Sequence, residues 1–222
     1  MIALKGVSKT YKIGKRDLTV LQGITLNIEQ GELVAVMGAS GSGKTTLLNI
    51  LGCLDRPTNG SYLFEDKEVS QLNGNELARI RGERIGFIFQ TFNLLSRLSA
   101  LTNVELGMQY AGGVDRQRAI EALGKVGLAD RIHHRPVELS GGEQQRVAIA
   151  RAIAKNPSLF LADEPTGQLD SHSGEEVISI LLSLHAERGT TLLVVTHDTE
   201  IAHRCQRIIY LKDGEIVREE KV

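Results

Sequence analysis

Leu33-Val34-Ala35-Val36-Met37-Gly38-Ala39-Ser40-Gly41-Ser42-Gly43-Lys44-Thr45-Thr46 is the stretch that decides the fold. Its first five residues form a short, unbroken apolar run, the texture of a strand buried on both faces. Residues 38–45 fit the pattern G-x-x-x-x-G-K-[ST]. Leu47, Leu51 and Leu54 then recur at helical spacing. Strand, glycine loop and helix in that order form a phosphate cradle. Gly38, Gly41 and Gly43, with Ser40 and Ser42 between them, let the backbone curl until successive N–H groups converge on an anion, and the helix adds its positive end. Lys44 is placed to reach the β- and γ-phosphates of a nucleotide, Thr45 to offer its hydroxyl to Mg²⁺ and Thr46 to donate to the α-phosphate. The loop alone implies a nucleoside triphosphate and no particular chemistry.

Outward from the cradle, Ile85–Phe89, Leu159–Ala162 and Leu192–Val195 are further apolar runs. Helical patterns alternate with them, one through Val177, Ile180, Leu181 and Leu184 that stops at Gly189. This alternation is the signature of a parallel sheet with crossover helices. Before residue 30 the texture differs. Ile24, Leu26 and Ile28 alternate with Thr25, Asn27 and Glu29, as in an antiparallel strand with one wet face. Near the end, Ile208–Leu211 and Glu215–Val217 flank the turn Lys212-Asp213-Gly214. Residues 91–138 contain helical patterns, Asn103–Tyr110 and Asp115–Val126, and no buried-strand run. The expectation is one α/β domain with residues 1–90 and 139–222 as β-subdomain and core, and about 91–138 as an inserted helical lobe.

Composition narrows the classes. A chain of 222 residues can bury a full core. The net charge of −1 gives no basic field for nucleic acid or anionic lipid. Cys53 and Cys205 are distant in sequence, with no zinc or disulfide spacing, which fits a reducing cytosolic setting. His133 and His134 read as surface residues. No apolar run approaches the roughly 18–20 residues that span a bilayer, and Met1–Gly6 lacks the apolar stretch of a signal peptide. Any membrane span is therefore expected from another polypeptide.

Leu159–Ala162 ends in Asp163-Glu164. Consecutive acids are costly inside a buried strand but tolerable at its C-terminal tip, where parallel sheets place ligands. Asp163 suits a Mg²⁺ shell through water, and Glu164 can polarise an attacking water. Leu139-Ser140-Gly141-Gly142-Glu143-Gln144-Gln145 precedes a helix through Val147, Ala150 and Ala154. Ser140 and Glu143 have capping-box spacing, yet capping asks for no glycine pair. Paired glycines at a positive helix end make a second phosphate surface, and its economical use is a nucleotide held by another subunit.

With these residues the chain resembles the ABC transporter ATPases from end to end, and Leu139–Gln145 looks like their signature motif. The resemblance implies a P-loop NTPase (RecA-like) core with an N-terminal antiparallel β-subdomain and an inserted α-helical subdomain. It implies Mg·ATP as the nucleotide, a homodimer formed on ATP binding, integral membrane permease subunits, and a place on the cytoplasmic face of the membrane. Ser140, Gly141, Gly142 and Glu143 would meet the partner's nucleotide. Gln90 matches the Q-loop glutamine that meets Mg²⁺ and water, His197 the switch histidine at the γ-phosphate, and Tyr11 the aromatic that stacks on adenine. Asp170, in Gly167-Gln168-Leu169-Asp170, matches the D-loop at the dimer seam, where Gln168 departs from the commoner small residue or Asn.

Residues 51–58, 89–95, 103–106 and 207–220 are similar to the MacB/LolD-like branch, ATPases of macrolide and peptide exporters and lipoprotein-release systems. Phe92, Leu94 and Leu95 would suit either docking of a membrane subunit or packing of the lobe. A soluble ABC-type ATPase working on nucleic acid or ribosomes is the rival from another class. It is disfavoured by the charge balance and by the lack of coiled-coil or zinc insertions. An ordinary P-loop kinase or GTPase is disfavoured because no N-K-x-D stretch occurs.

Overall fold

The computed structural model describes residues 1–109 and 111–222, with their side chains other than that at position 188. In chain order the elements are β1 (Ile2–Ile13), β2 (Arg16–Ile28), β3 (Leu33–Met37), α1 (Lys44–Leu51), β4 (Asn59–Phe64), β5 (Lys67–Glu68), α2 (Gly74–Arg84) and β6 (Ile85–Phe89). There follow α3 (Ala100–Met108), α4 (Arg116–Lys125), α5 (Gly141–Ile153), β7 (Leu159–Asp163), α6 (Ser171–Arg188), β8 (Thr191–Val195), α7 (Thr199–Ala202), β9 (Arg207–Lys212) and β10 (Glu215–Lys221). Contacts divide the chain into two compact units: Met1–Leu77 with Thr191–Val222, and Ala78–Thr190.

The first unit contains an antiparallel sheet in the order β2-β1-β4-β5. Ile2 faces Ile28, Leu4 faces Leu26 and Val7 faces Ile24. All six are buried, so the alternation at 24–28 marks one core face of this sheet. In the same unit the strands β10-β9-β3-β8 lie side by side. Strand β3 runs parallel to both neighbours, with Val36 level with Val195 on β8 and Ile209 on β9. Every residue of β3 and β8 is buried, which is why both read as continuous apolar runs. The β9–β10 hairpin turns through Asp213 (φ 48°) and Gly214 (φ 83°), two left-handed residues that match the strand twist. Its tip props the glycine loop, because Gly214 N donates to the Ser42 carbonyl at 3.0 Å.

The second unit holds the parallel pair β6–β7, in register from Ile85 with Leu159 to Phe89 with Asp163. Around α5 the helices bury Leu101 and Val104 of α3, Ala119, Ala122 and Leu123 of α4, and Val177 and Leu181 of α6.

Two helix ends differ from the sequence reading, each for a local reason. Helix α1 stops at Leu51, Gly52 caps it and Cys53 takes φ 55°, which leaves Leu54 48% exposed. Helix α3 begins at Ala100 because the Ser99 hydroxyl caps it by accepting from Thr102 N. Asn103 then lies inside the helix, where its side chain meets Leu95 N at 2.7 Å and the carbonyls of Leu95, Leu98 and Ser99. The residue expected to end that helix, Tyr110, lies outside the described residues. Helix α2 leaves no apolar period in the sequence, since it buries little besides Leu77 and is otherwise charged and polar.

Candidate active site

In the first unit, residues 38–43 loop from β3 into α1. A Cβ at Gly38 would drive into the Leu211 carbonyl oxygen, so the loop passes too close to β9 for any side chain. Gly43 caps α1 at φ 104°, a conformation L residues avoid, and its Cβ would lie 2.8 Å from Leu21 Cδ2. The Lys44 ammonium bends back over the loop and donates to the carbonyls of Gly38 at 2.7 Å and Ala39 at 2.8 Å. A cation is thus fixed over the loop. Ser40, Gly41 and Thr45 are exposed there, and Thr46 is half-buried one position further along α1. Ser42 is only 4% exposed and its hydroxyl has no hydrogen-bond partner. A buried polar group in that condition costs free energy, and an anion in the loop supplies the missing acceptor.

His197 belongs to the same unit. Thr196 N donates to the Val36 carbonyl at 3.2 Å, so β8 and β3 end level and His197 leaves the sheet at the edge where Gly38 does. Tyr11 is held by two partners. Its hydroxyl donates to Asp55 Oδ2 at 2.8 Å, and the Lys9 ammonium lies 4.8 Å from its ring centroid while pairing with Asp55 at 2.6 Å. Partial burial and the Asp55 bond hold the phenol above its ordinary range. Burial alone would raise the Asp55 carboxyl, but the hydrogen bonds from Lys9 and Tyr11 outweigh it and hold it low. The ring is therefore held in one orientation.

In the second unit, Gln90 and Glu164 follow the paired residues Phe89 and Asp163 and so leave β6 and β7 at one edge. Glu164 has φ 46°, a left-handed conformation that costs a bulky residue roughly 1–3 kcal/mol and concentrates at functional sites. Gly167 N closes the turn onto the Glu164 carbonyl at 3.0 Å. The Gln90 amide lies over Gly167, where a Cβ would come within 2.6 Å of its Nε2.

Helix α5 starts at an exposed Ser140 whose capping box is complete. Glu143 accepts from Ser140 N at 2.8 Å and Ser140 Oγ accepts from Glu143 N at 3.2 Å. The Ser140 N–H is the main reason the Glu143 carboxyl sits below its usual range. With those N–H groups used, Gly141 and Gly142 are the first-turn residues left without intrahelical acceptors. Gly142 also has a packing reason, since a Cβ there would lie 2.8 Å from Ser173 Cβ. Asp170 caps α6 by accepting from Ser173 N at 3.0 Å, which holds its carboxyl low. Two residues that the sequence did not single out complete this unit. Gln145 and Arg151 reach from α5 to backbone carbonyls on either side of Gln90. Both carry motif-like polarity, but only their burial reveals an inward role.

A glycine loop between a buried parallel strand and a helix, with a lysine over its mouth, defines a nucleotide-binding protein of the P-loop class. The family model described as "ABC transporter" matches residues 21–167. The chain is 54% identical over 222 residues to the macrolide export ATP-binding/permease protein MacB of Photorhabdus laumondii, covering 99% of this chain and 34% of that protein. It is 52% identical over 229 residues to the uncharacterized ABC transporter ATP-binding protein MJ0796 of Methanocaldococcus jannaschii, covering 100% and 97%. The dimeric post-hydrolysis structure of the ATP-binding cassette MJ0796, bound to ADP and Pi, superposes with a TM-score of 0.92 at 50% identity, covering 100% and 98%. The chain belongs to the ABC transporter family and is an ATP-binding, ATP-hydrolysing member of it. No described helix is long and apolar enough to cross a membrane.

Proposed function

We propose that two copies of this chain close around two Mg·ATP, each nucleotide held by one copy's cradle and the other copy's Ser140–Glu143. The observation that carries the reading is the N-terminus of α5, where Ser140 is exposed, Gly141 half-buried and Gly142 buried, and whose capping box leaves the Gly141 and Gly142 N–H groups without intrahelical acceptors for an anion. The dimeric state with ADP and Pi in the MJ0796 structure supports it.

The roles follow from chemistry. The cradle N–H groups of residues 38–43, the Ser42 hydroxyl and Lys44 bind the phosphates, Thr46 the α-phosphate, and Tyr11 stacks on adenine. Thr45, Asp163 (through water) and Gln90 are hard oxygen donors that suit Mg²⁺, which keeps most of its waters and needs few protein ligands. When bound, the ion neutralises charge on the phosphate oxygens. Glu164, held in its strained turn, orients and polarises the attacking water. Lys44 and His197 stabilise charge that develops on the γ-phosphoryl group. Asp170 keeps the D-loop and the start of α6 in order at the seam.

Closure and reopening of the seam drive a membrane subunit. The helical stretch of about residues 91–138 is the lobe we assign to that contact, with Leu95, 54% exposed, at its entry. The chain would then work on the cytoplasmic face of a membrane through a permease, in export or lipoprotein release. Glu164→Gln tests the centre of this reading. It should bind ATP as the parent does, lose turnover by at least about a hundredfold, and accumulate as an ATP-bound dimer in size-exclusion chromatography. Near-parental turnover would remove Glu164 from its role.

A further inference from the structure

We infer that α5 is the strap that sets the catalytic loops, and that Gln145 and Arg151 are its two positioning residues. The inference rests on the reading of Gln90 and Glu164 given above and deepens it.

Gln145 has no exposed surface. Its Nε2 donates at 2.7 Å to the carbonyl of Pro165, the residue directly after Glu164, and at 3.3 Å to the carbonyl of Phe89, the residue directly before Gln90. Its Oε1 is buried with no partner. A fully buried amide that leaves its own acceptor unsatisfied is held for its donors, because an apolar side chain of equal size would fill the space without that penalty. Arg151, two turns along the same helix, donates to the Phe92 carbonyl at 2.9 Å and the Asn93 carbonyl at 2.6 Å. Burial lowers the pKa of this guanidinium, so it too occupies its place at a cost. Phe92 and Asn93 both have left-handed backbones, φ 51° and 52°, which a free loop would relax.

Gln90 is therefore bracketed. The peptide before it is tied by Gln145, and those that follow are tied by Arg151. The Gln145 amide also holds the turn that carries Glu164. All of these donors stand on the helix whose first turn is Ser140–Glu143. A rigid helix cannot shift at its N-terminus without moving these side chains and the carbonyls bonded to them. Seating the first turn of α5 on a partner's nucleotide would thus set Gln90 and Glu164 in one movement. Neither Gln145 nor Arg151 touches the reacting atoms in this account.

The test is steady-state ATP hydrolysis by the full chain carrying Gln145→Met, which keeps the volume and removes both donors. The expected result is a kcat lowered at least about tenfold with the KM for ATP within about twofold, since misplacement of a catalytic group by less than 1 Å suffices for such a loss. A purely structural role would instead lower the melting temperature and leave the kcat of the folded fraction intact, which would overturn the proposal. Gln145→Glu adds a signature that packing cannot imitate. A carboxyl at 145 donates only when protonated, so its kcat relative to the parent should climb as pH falls from about 8.5 to about 6.5, and a flat ratio would count against the strap. Should the methionine variant fail to fold, Arg151→Lys decides, with the same fall in kcat expected and unchanged kcat overturning it. Glu164→Gln run in parallel separates the two ideas: turnover in that variant refutes the water-polarising role, whereas a parental kcat in the Gln145 variants refutes the strap alone.

Discussion

Gly142→Ala puts the packing of the signature turn to the test. The new Cβ would lie 2.8 Å from Ser173 Cβ and 2.9 Å from Ser173 Oγ, at least about 0.6 Å inside ordinary contact. The Cβ cannot swing away, because it is fixed to a backbone whose N–H is bound by the Asp170 cap. The first turns of α5 and α6 must then part. Overpacking of this kind costs about 1–3 kcal/mol, against a gain of up to about 1 kcal/mol from replacing a helical glycine by alanine. The net expectation is a loss of about 1–2 kcal/mol in urea unfolding. Ser173→Gly removes both offending atoms and leaves Ser173 Cα, 3.8 Å away, as the nearest neighbour. Alone it should cost about 0.5 kcal/mol, the difference in helix propensity between serine and glycine. Combined with Gly142→Ala it should restore about 1–3 kcal/mol relative to the sum of the two single losses, because the clash disappears. If the two substitutions add within about 0.5 kcal/mol, α5 and α6 do not meet as described, and the reasoning about this turn is wrong.

Other perturbations reach other parts of the molecule. Ser140→Arg should block turnover by at least about a hundredfold while single-copy ATP binding persists; lost binding in the monomer would refute a site shared between copies. Lys155, whose ammonium donates to the Arg81 carbonyl at 2.8 Å, has its pKa lowered from 10.5 to about 8 by burial, with a smaller push from Arg151. Below about pH 8 the lysine is charged in both states and its desolvation cost is fully present. From there to about pH 10.5 the unfolded chain holds more protons, so stability should rise with pH by up to about 3 kcal/mol. Urea unfolding of the parent and Lys155→Met across that range should give differences that change with this sign, and parallel curves would refute it.

The phosphate cradle was legible because its requirements are local. Gly38 and Gly43 answer to close neighbours and a left-handed backbone, and Lys44 and Thr45 follow at fixed offsets from them. The buried strands were legible for a related reason: a strand covered on both faces, such as Leu33–Met37, cannot hide its composition. Boundaries were less so. Leu54 continues the helical spacing of Leu47 and Leu51, yet the Gly52–Cys53 turn ends the helix, and spacing alone does not weigh a terminator against a period. Helix α2 went unread because a charged helix with one buried leucine offers no stripe to count.

The residues proposed to hold the loops at Gln90 and Glu164 were hidden more deeply. Gln145 stands in a run of polar residues after two glycines, where composition favours contact with a ligand or solvent. The structure turns it inward instead, onto carbonyls 56 and 20 residues away in sequence. No pattern within the run encodes that choice, because its partners are peptide groups, which every residue possesses. Chemistry that acts through side chains leaves a trace in residue types, as in the roles proposed for Asp163 and Glu164. Positioning that acts through backbone carbonyls leaves its trace only on the donor, and a lone buried donor becomes visible when the chain is folded. Gln145 and Arg151 therefore lie outside what the motif reading could supply, although one of them sits within the motif itself.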